Sequence, residues 1–96
     1  MATVMTMRTP GDTEIYDRIN EEMGVENNLP DGLIHHFAAT DGNEVLIWDV
    51  WESREDFERF QNERLMPAIG KVMGGEMPPG GAPQPTFAEL HNEFHK

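Results

Sequence analysis

Polar and apolar residues alternate in some stretches of this chain and recur at helical spacing in others, and the order of those stretches predicts the fold. Thr3 to Thr9 is threonine-rich and partly β-branched, and Pro10-Gly11 stops it, which predicts a first strand. Asp12 is a good helix N-cap. Ile15, Ile19 and Met23 follow at helical spacing with Tyr16 beside them, while Glu14, Asp17, Arg18, Glu21 and Glu22 face outward, and Gly24 is placed to end the helix. After a loop over 25–31, Gly32 opens a second strand, Leu33 to Thr40, and Val45 to Trp51 forms a third.

Asp41-Gly42 lies between these two runs and signals a tight hairpin, because a mirror-image turn needs positive φ at its centre. A two-residue loop there sets Ala38 opposite Val45, His36 opposite Ile47 and Leu33 opposite Val50. Ser53, with Asp56 three residues on, is a capping-box start for a second helix with Phe57, Phe60 and Arg64 along one side. Pro67 disfavours helical backbone at Met66, so that helix is expected to break or kink and continue as a short piece carrying Ile69, Val72 and Met73. Residues 74–85 hold four glycines and four prolines, an exposed connection that serves as a spacer or as a lid. Thr86 to Phe94 then alternates, with Phe87, Glu89, His91 and Glu93 on one side, and closes the sheet.

The order β-α-β-β-α-β predicts a single α+β domain over 1–96, ferredoxin-like, with a four-stranded antiparallel sheet and both helices on one face. The central hairpin has large apolar groups on both faces. Alternation sends Ile34, His36, Ala38, Val45, Ile47, Asp49 and Trp51 to one side, and Leu33, His35, Phe37, Leu46, Trp48 and Val50 to the other. Two helices cover one face only. The second set has no formal charge, and each of its apolar members is worth roughly 1.5–3 kcal/mol when buried. A second copy of the chain is therefore the expected cover, through His35, Phe37, Leu46, Trp48 and Val50.

Composition narrows the function classes. Eighteen acidic against seven basic residues give a formal charge of −11, which repels phosphate backbones and anionic membranes, so neither nucleic acid nor membrane is an expected partner. The chain has no cysteine, which excludes disulfides, thiolate metal sites and thiol catalysis. No run approaches the roughly 20 apolar residues of a membrane span, and no signal-peptide pattern opens the sequence, so a cytoplasmic location is expected. His35 and His36 diverge on adjacent strand positions, and His91 and His95 would stand roughly 13 Å apart at strand rise, so no metal is expected. Neither Gly74-Gly75 nor Gly80-Gly81 opens a helix after a strand, so no phosphate-cradling loop is predicted.

The residues that could carry chemistry fall on the helix-covered face. His36 and Asp49 lie one diagonal step apart beside Trp51, an imidazole oriented by a carboxylate against an aromatic wall. Such a pair can act as a general base near neutral pH, and it can equally be a structural hydrogen bond. Tyr16 could present a phenol from the helix side or pack in the core. Arg64 could clamp an anionic substrate group or form a surface ion pair. His91 could face the pocket from the last strand or lie exposed.

Pro30-Asp31-Gly32-Leu33-Ile34 before strand two, and Asp49-Val50-Trp51-Glu52-Ser53 followed by Phe57 and Phe60, resemble the dimeric α/β barrel superfamily and, within it, small antibiotic biosynthesis monooxygenase-like proteins. The resemblance spans roughly residues 3–95. It implies a dimer with a pocket between sheet and helices, lined by the tryptophan that ends strand three, here Trp51. Haem-degrading members of that superfamily use a histidine on the helix after that strand and an asparagine on the first strand. Residues 53–73 contain no histidine and residues 1–9 no asparagine, so no haem, and no cofactor of any kind, is expected. The resulting expectation is a homodimer that binds a small molecule, with His36 and Asp49 catalytic and Trp51, Tyr16, Phe57, Phe60, Arg64 and His91 around the substrate. Its activity would be cofactor-independent monooxygenation of an aromatic or phenolic metabolite. The alternatives are a cyclase or isomerase that uses the same histidine base, and a ligand-binding dimer without catalysis.

Overall fold

A computed structural model describes residues 2–75 and 84–94. Strand β1 (Thr3–Pro10) leads into helix α1 (Thr13–Met23), followed by β2 (Leu33–Asp41), β3 (Glu44–Trp51), helix α2 (Arg54–Phe60), a π-helical turn (Gln61–Leu65), helix α3 (Met66–Val72) and β4 (Thr86–Glu89). The strands form one antiparallel sheet in the order β2-β3-β1-β4, the ferredoxin-like arrangement that the element order predicts.

The helix boundaries follow their caps. The Asp12 side chain accepts a hydrogen bond from the Glu14 N–H at 3.0 Å, and Gly24 ends α1 in the left-handed region at φ 67°. The Ser53 hydroxyl oxygen accepts from the Asp56 N–H at 3.2 Å and donates to the Asp56 carboxylate at 2.9 Å. Gly32 must be glycine for two reasons: its φ is +88°, and a Cβ there would overlap the Asp56 side chain that completes this cap.

Four details depart from the sequence expectations. The hairpin loop is Gly42-Asn43, not Asp41-Gly42, so Asp41 pairs with Glu44, Ala38 with Ile47 and His36 with Asp49. Only Gly42 there has positive φ (61°); an Asp41-Gly42 mirror turn would force Asp41 into that region as well. A bulge between Leu33 and His35 turns Leu33 to the helix-covered face opposite Trp51 and leaves Ile34 43% exposed. The helix does not break at Pro67. The Met66 N–H reaches back to the Gln61 carbonyl, and this wider turn accommodates the proline ring without interrupting the helix. Finally, β4 ends at Glu89; the Leu90 N–H still donates to the Ala2 carbonyl at 3.0 Å, and beyond it Glu93 pairs with His35 of β2 at 2.7 Å. Most of the expected spacer or lid over 74–85 lies outside the described residues.

The core sits between sheet and helices. Met5 and Met7 from β1, Val45, Ile47 and Trp51 from β3 and Phe57 from α2 are buried together, with Tyr16, Leu33, Phe60 and Phe87 packed around them. Trp51 meets Phe57 edge-on and Phe60 at a tilt, with ring centres 5.6 and 5.4 Å away. On the outer face Val50 is buried, while Phe37 and Trp48 remain 57% and 39% exposed.

Candidate functional site

Because the hairpin pairs His36 directly with Asp49, their side chains leave the same face of neighbouring strands and meet. His36 Nδ1 lies 2.5 Å from Asp49 Oδ1. The other oxygen, Oδ2, accepts from the Trp51 indole N–H at 3.1 Å, two residues along β3 on the same face. Asp49 is the buried charged residue of the core, and both its carboxylate oxygens are satisfied by N–H donors. That arrangement fixes the imidazole tautomer: with Nδ1–H donating to Asp49, neutral His36 presents Nε2 as an acceptor. The Tyr16 hydroxyl from α1 fills that position, donating to Nε2 at 2.5 Å.

Tyr16, His36, Asp49 and Trp51 thus form one hydrogen-bonded chain from α1 across β2 to β3. Burial is the main cause of a raised Tyr16 pKa, with smaller contributions from the charges of Asp49 and Asp17, while a hydrogen bond with Asn20 works the other way. Tyr16 is therefore a neutral phenol at physiological pH.

This chain lines one side of a cavity of about 250 Å³ between sheet and helices. The remaining walls are mostly apolar: Met5, Met7 and Ile47 from the sheet, Ile15, Ile19 and Met23 from α1, and Phe57, Phe60 and Ile69 from the later helices. Among the described lining residues Arg8 is the one arginine or lysine, and its guanidinium pairs with Glu44 at 3.2 Å. An apolar chamber with a few convergent polar groups at one place is the usual form of a small-molecule site.

Of the residues singled out from the sequence, the structure brings together His36, Asp49, Trp51, Tyr16, Phe57 and Phe60. Two stand elsewhere. Arg64 donates to the Met23 carbonyl at 3.0 Å, tying the π-helical turn to the end of α1, and lines a smaller neighbouring cleft with Arg59, Asp56 and Glu63. His91 lies exposed beyond the end of β4, because the strand that would have carried it inward stops at Glu89. Sequence reasoning passed over Asn20, which lines the cavity one turn further along α1 and offsets part of the upward effect of burial on Tyr16. The i, i+4 spacing of Tyr16 and Asn20 was the available signal. Among the described residues no cluster of histidine and carboxylates could hold a metal ion, and no helix is long and apolar enough to cross a membrane.

The four-stranded antiparallel sheet in the order β2-β3-β1-β4, with its helices over one face, defines the fold class of this protein. Its fold is that of the antibiotic biosynthesis monooxygenase-like proteins. A monooxygenase from the ActVA-Orf6 gene of Streptomyces coelicolor, solved with the ligand nanaomycin D, superposes with a TM-score of 0.65 at 16% identity, over 99% of this chain and 92% of that one. SnoaB, a cofactor-independent oxygenase from Streptomyces nogalater, gives 0.64 at 11% identity over 99% and 97%. A protein of unknown function from Nitrosomonas europaea gives 0.71 at 12% identity over 99% and 94%. No family model matches the chain, and no curated protein does.

Proposed function

We propose that this protein binds an aromatic, weakly acidic small molecule in the cavity beside His36 and oxygenates it without a cofactor. The observation that carries this reading is the chain Trp51–Asp49–His36–Tyr16, which ends inside an apolar chamber. Asp49 orients the imidazole and stabilises the imidazolium that forms when a proton arrives. Removing a phenolic or activated C–H proton leaves an electron-rich anion, and that anion can itself pass an electron to molecular oxygen. Trp51, Phe57 and Phe60 supply an apolar aromatic wall against which such a ring would pack. The similarity in fold to oxygenases from Streptomyces supports the same reading.

Oxygen uptake with anthrones and hydroquinones tests it. Turnover should fall by about 10²–10⁴-fold in His36→Ala, the span attributed to a positioned base; unchanged turnover would remove the mechanism. Turnover that persists without oxygen would assign the base to isomerisation or cyclisation instead.

The assembly proposed with this function is a homodimer through the outer sheet face. Phe37 and Trp48 stand exposed there as a directly opposed pair, with Ile34 close by at the bulge. Light scattering should return twice the 10.9 kDa chain mass, and Trp48→Glu should return the single-chain mass. A folded wild-type monomer at micromolar concentration would refute it.

A further inference from the structure

Both nitrogens of the proposed base are already occupied. His36 Nδ1 is held by Asp49 and Nε2 by the Tyr16 hydroxyl, each at 2.5 Å. A substrate in the cavity therefore cannot reach the imidazole without first evicting Tyr16. The Tyr16 oxygen, by contrast, is equipped to receive a proton. It donates to Nε2 and keeps acceptor lone pairs on a side chain that lines the cavity.

We infer that Tyr16 is a catalytic residue that touches the substrate and relays its proton to His36. This inference rests on the reading of the cavity given above and deepens it. As the substrate O–H bond breaks, an O–H bond forms at Tyr16; the original Tyr16 O–H bond breaks, and an N–H bond forms at Nε2. Tyr16 ends as it began, a neutral phenol, now donating to the substrate anion. His36 ends as an imidazolium between the Tyr16 oxygen and the Asp49 carboxylate. No electron changes hands in this step, and the positive charge formed sits against the buried carboxylate that balances it. Asn20 steadies whatever negative charge gathers on the Tyr16 oxygen during the double transfer, the same influence that opposes the upward effect of burial on that phenol.

3-Nitrophenol, which is coloured only when ionised and whose pKa lies above the usual imidazole range, distinguishes the relay from direct attack by histidine. At one pH unit below the probe's own pKa about one-tenth of the free probe is ionised. Wild-type protein should bind it largely as the anion. Tyr16→Phe should still bind it, but with the ionised fraction reduced to about that of free probe, because the imidazole then stands one hydroxyl too far away; His36→Gln should do the same. An anion retained in Tyr16→Phe overturns the relay and leaves the histidine base in place. An anion retained in His36→Gln overturns the relay together with the proposed base. A probe that wild-type protein does not bind overturns the small-molecule reading itself, and the relay with it.

A second measurement does not depend on how Tyr16→Phe folds. The chain has one tyrosine, so growth on 3-fluorotyrosine alters Tyr16 alone, making its phenol more acidic with almost no change in shape. Oxygen uptake should then shift in its pH profile. An unmoved profile overturns the relay.

Discussion

Replacing Trp51 with phenylalanine separates the two tasks of that side chain, packing and donation. Trp51 is 1% exposed, and its indole N–H is the donor to Asp49 Oδ2 at 3.1 Å. Phenylalanine keeps an aromatic face toward Phe57 and Phe60 but removes about 40 Å³, worth about 1 kcal/mol at roughly 24 cal/mol per Å³ of residual cavity. Loss of the donor strips one hydrogen bond from a buried carboxylate, a loss of about 1.5–3 kcal/mol for a charged partner. Together the substitution should destabilise by about 2.5–4 kcal/mol, against a total of about 5–14 kcal/mol for 96 residues. Urea unfolding is the assay, followed by circular dichroism and by the fluorescence of Trp48, which remains in the variant. At a slope of about 1–1.5 kcal/mol per M, the midpoint should fall by about 1.7–4 M. In an Asp49→Asn background the same change should cost about 1–2 kcal/mol less, because the acceptor left behind no longer carries a charge. A midpoint shift under about 0.5 M, or additivity within about 0.5 kcal/mol, would refute the indole as the holder of Asp49.

Three further outcomes follow from other contacts. The single tyrosine gives a clean spectroscopic titration: Tyr16 should ionise above 10.0 in the folded protein, and a midpoint at or below that value would contradict its burial. Because its folded pKa is the higher one, its contribution to stability is fully present below pH 10 and is lost as pH rises through the folded value, so urea midpoints should begin to decline above pH 10. Gly32→Ala combines left-handed backbone strain of about 1–2 kcal/mol with displacement of the Asp56 cap, worth about 1 kcal/mol. The melting temperature should fall by about 8–20 °C, and a fall under about 3 °C would show that loop and cap relax together.

The sequence alone determined the element order and the sorting of side chains to two faces. Asp12, Gly24 and Ser53 mark helix ends through hydrogen bonds made within a few residues, so no distant part of the chain is needed to read them. The shared face of His36, Asp49 and Trp51 was legible although the expected hairpin register was off by two, because strand side chains repeat every two residues and a slip of two preserves the face. The same slip hid that His36 and Asp49 are directly opposed. What decided it was the backbone of one turn, with positive φ at Gly42 and not at Asp41.

Only the tertiary structure could place the rest. The bulge that sets Leu33 opposite Trp51, the tie from Arg64 on the π-helical turn to the Met23 carbonyl and the pairing of β4 with β1 each join residues far apart in sequence. The meeting of Tyr16 with His36 is of the same kind. Its two residues lie 20 positions apart on a helix and a strand, and no periodicity within either element sets the distance between them. Patterns along a chain report which way a side chain faces; how closely two facing elements approach is fixed by the core packed between them.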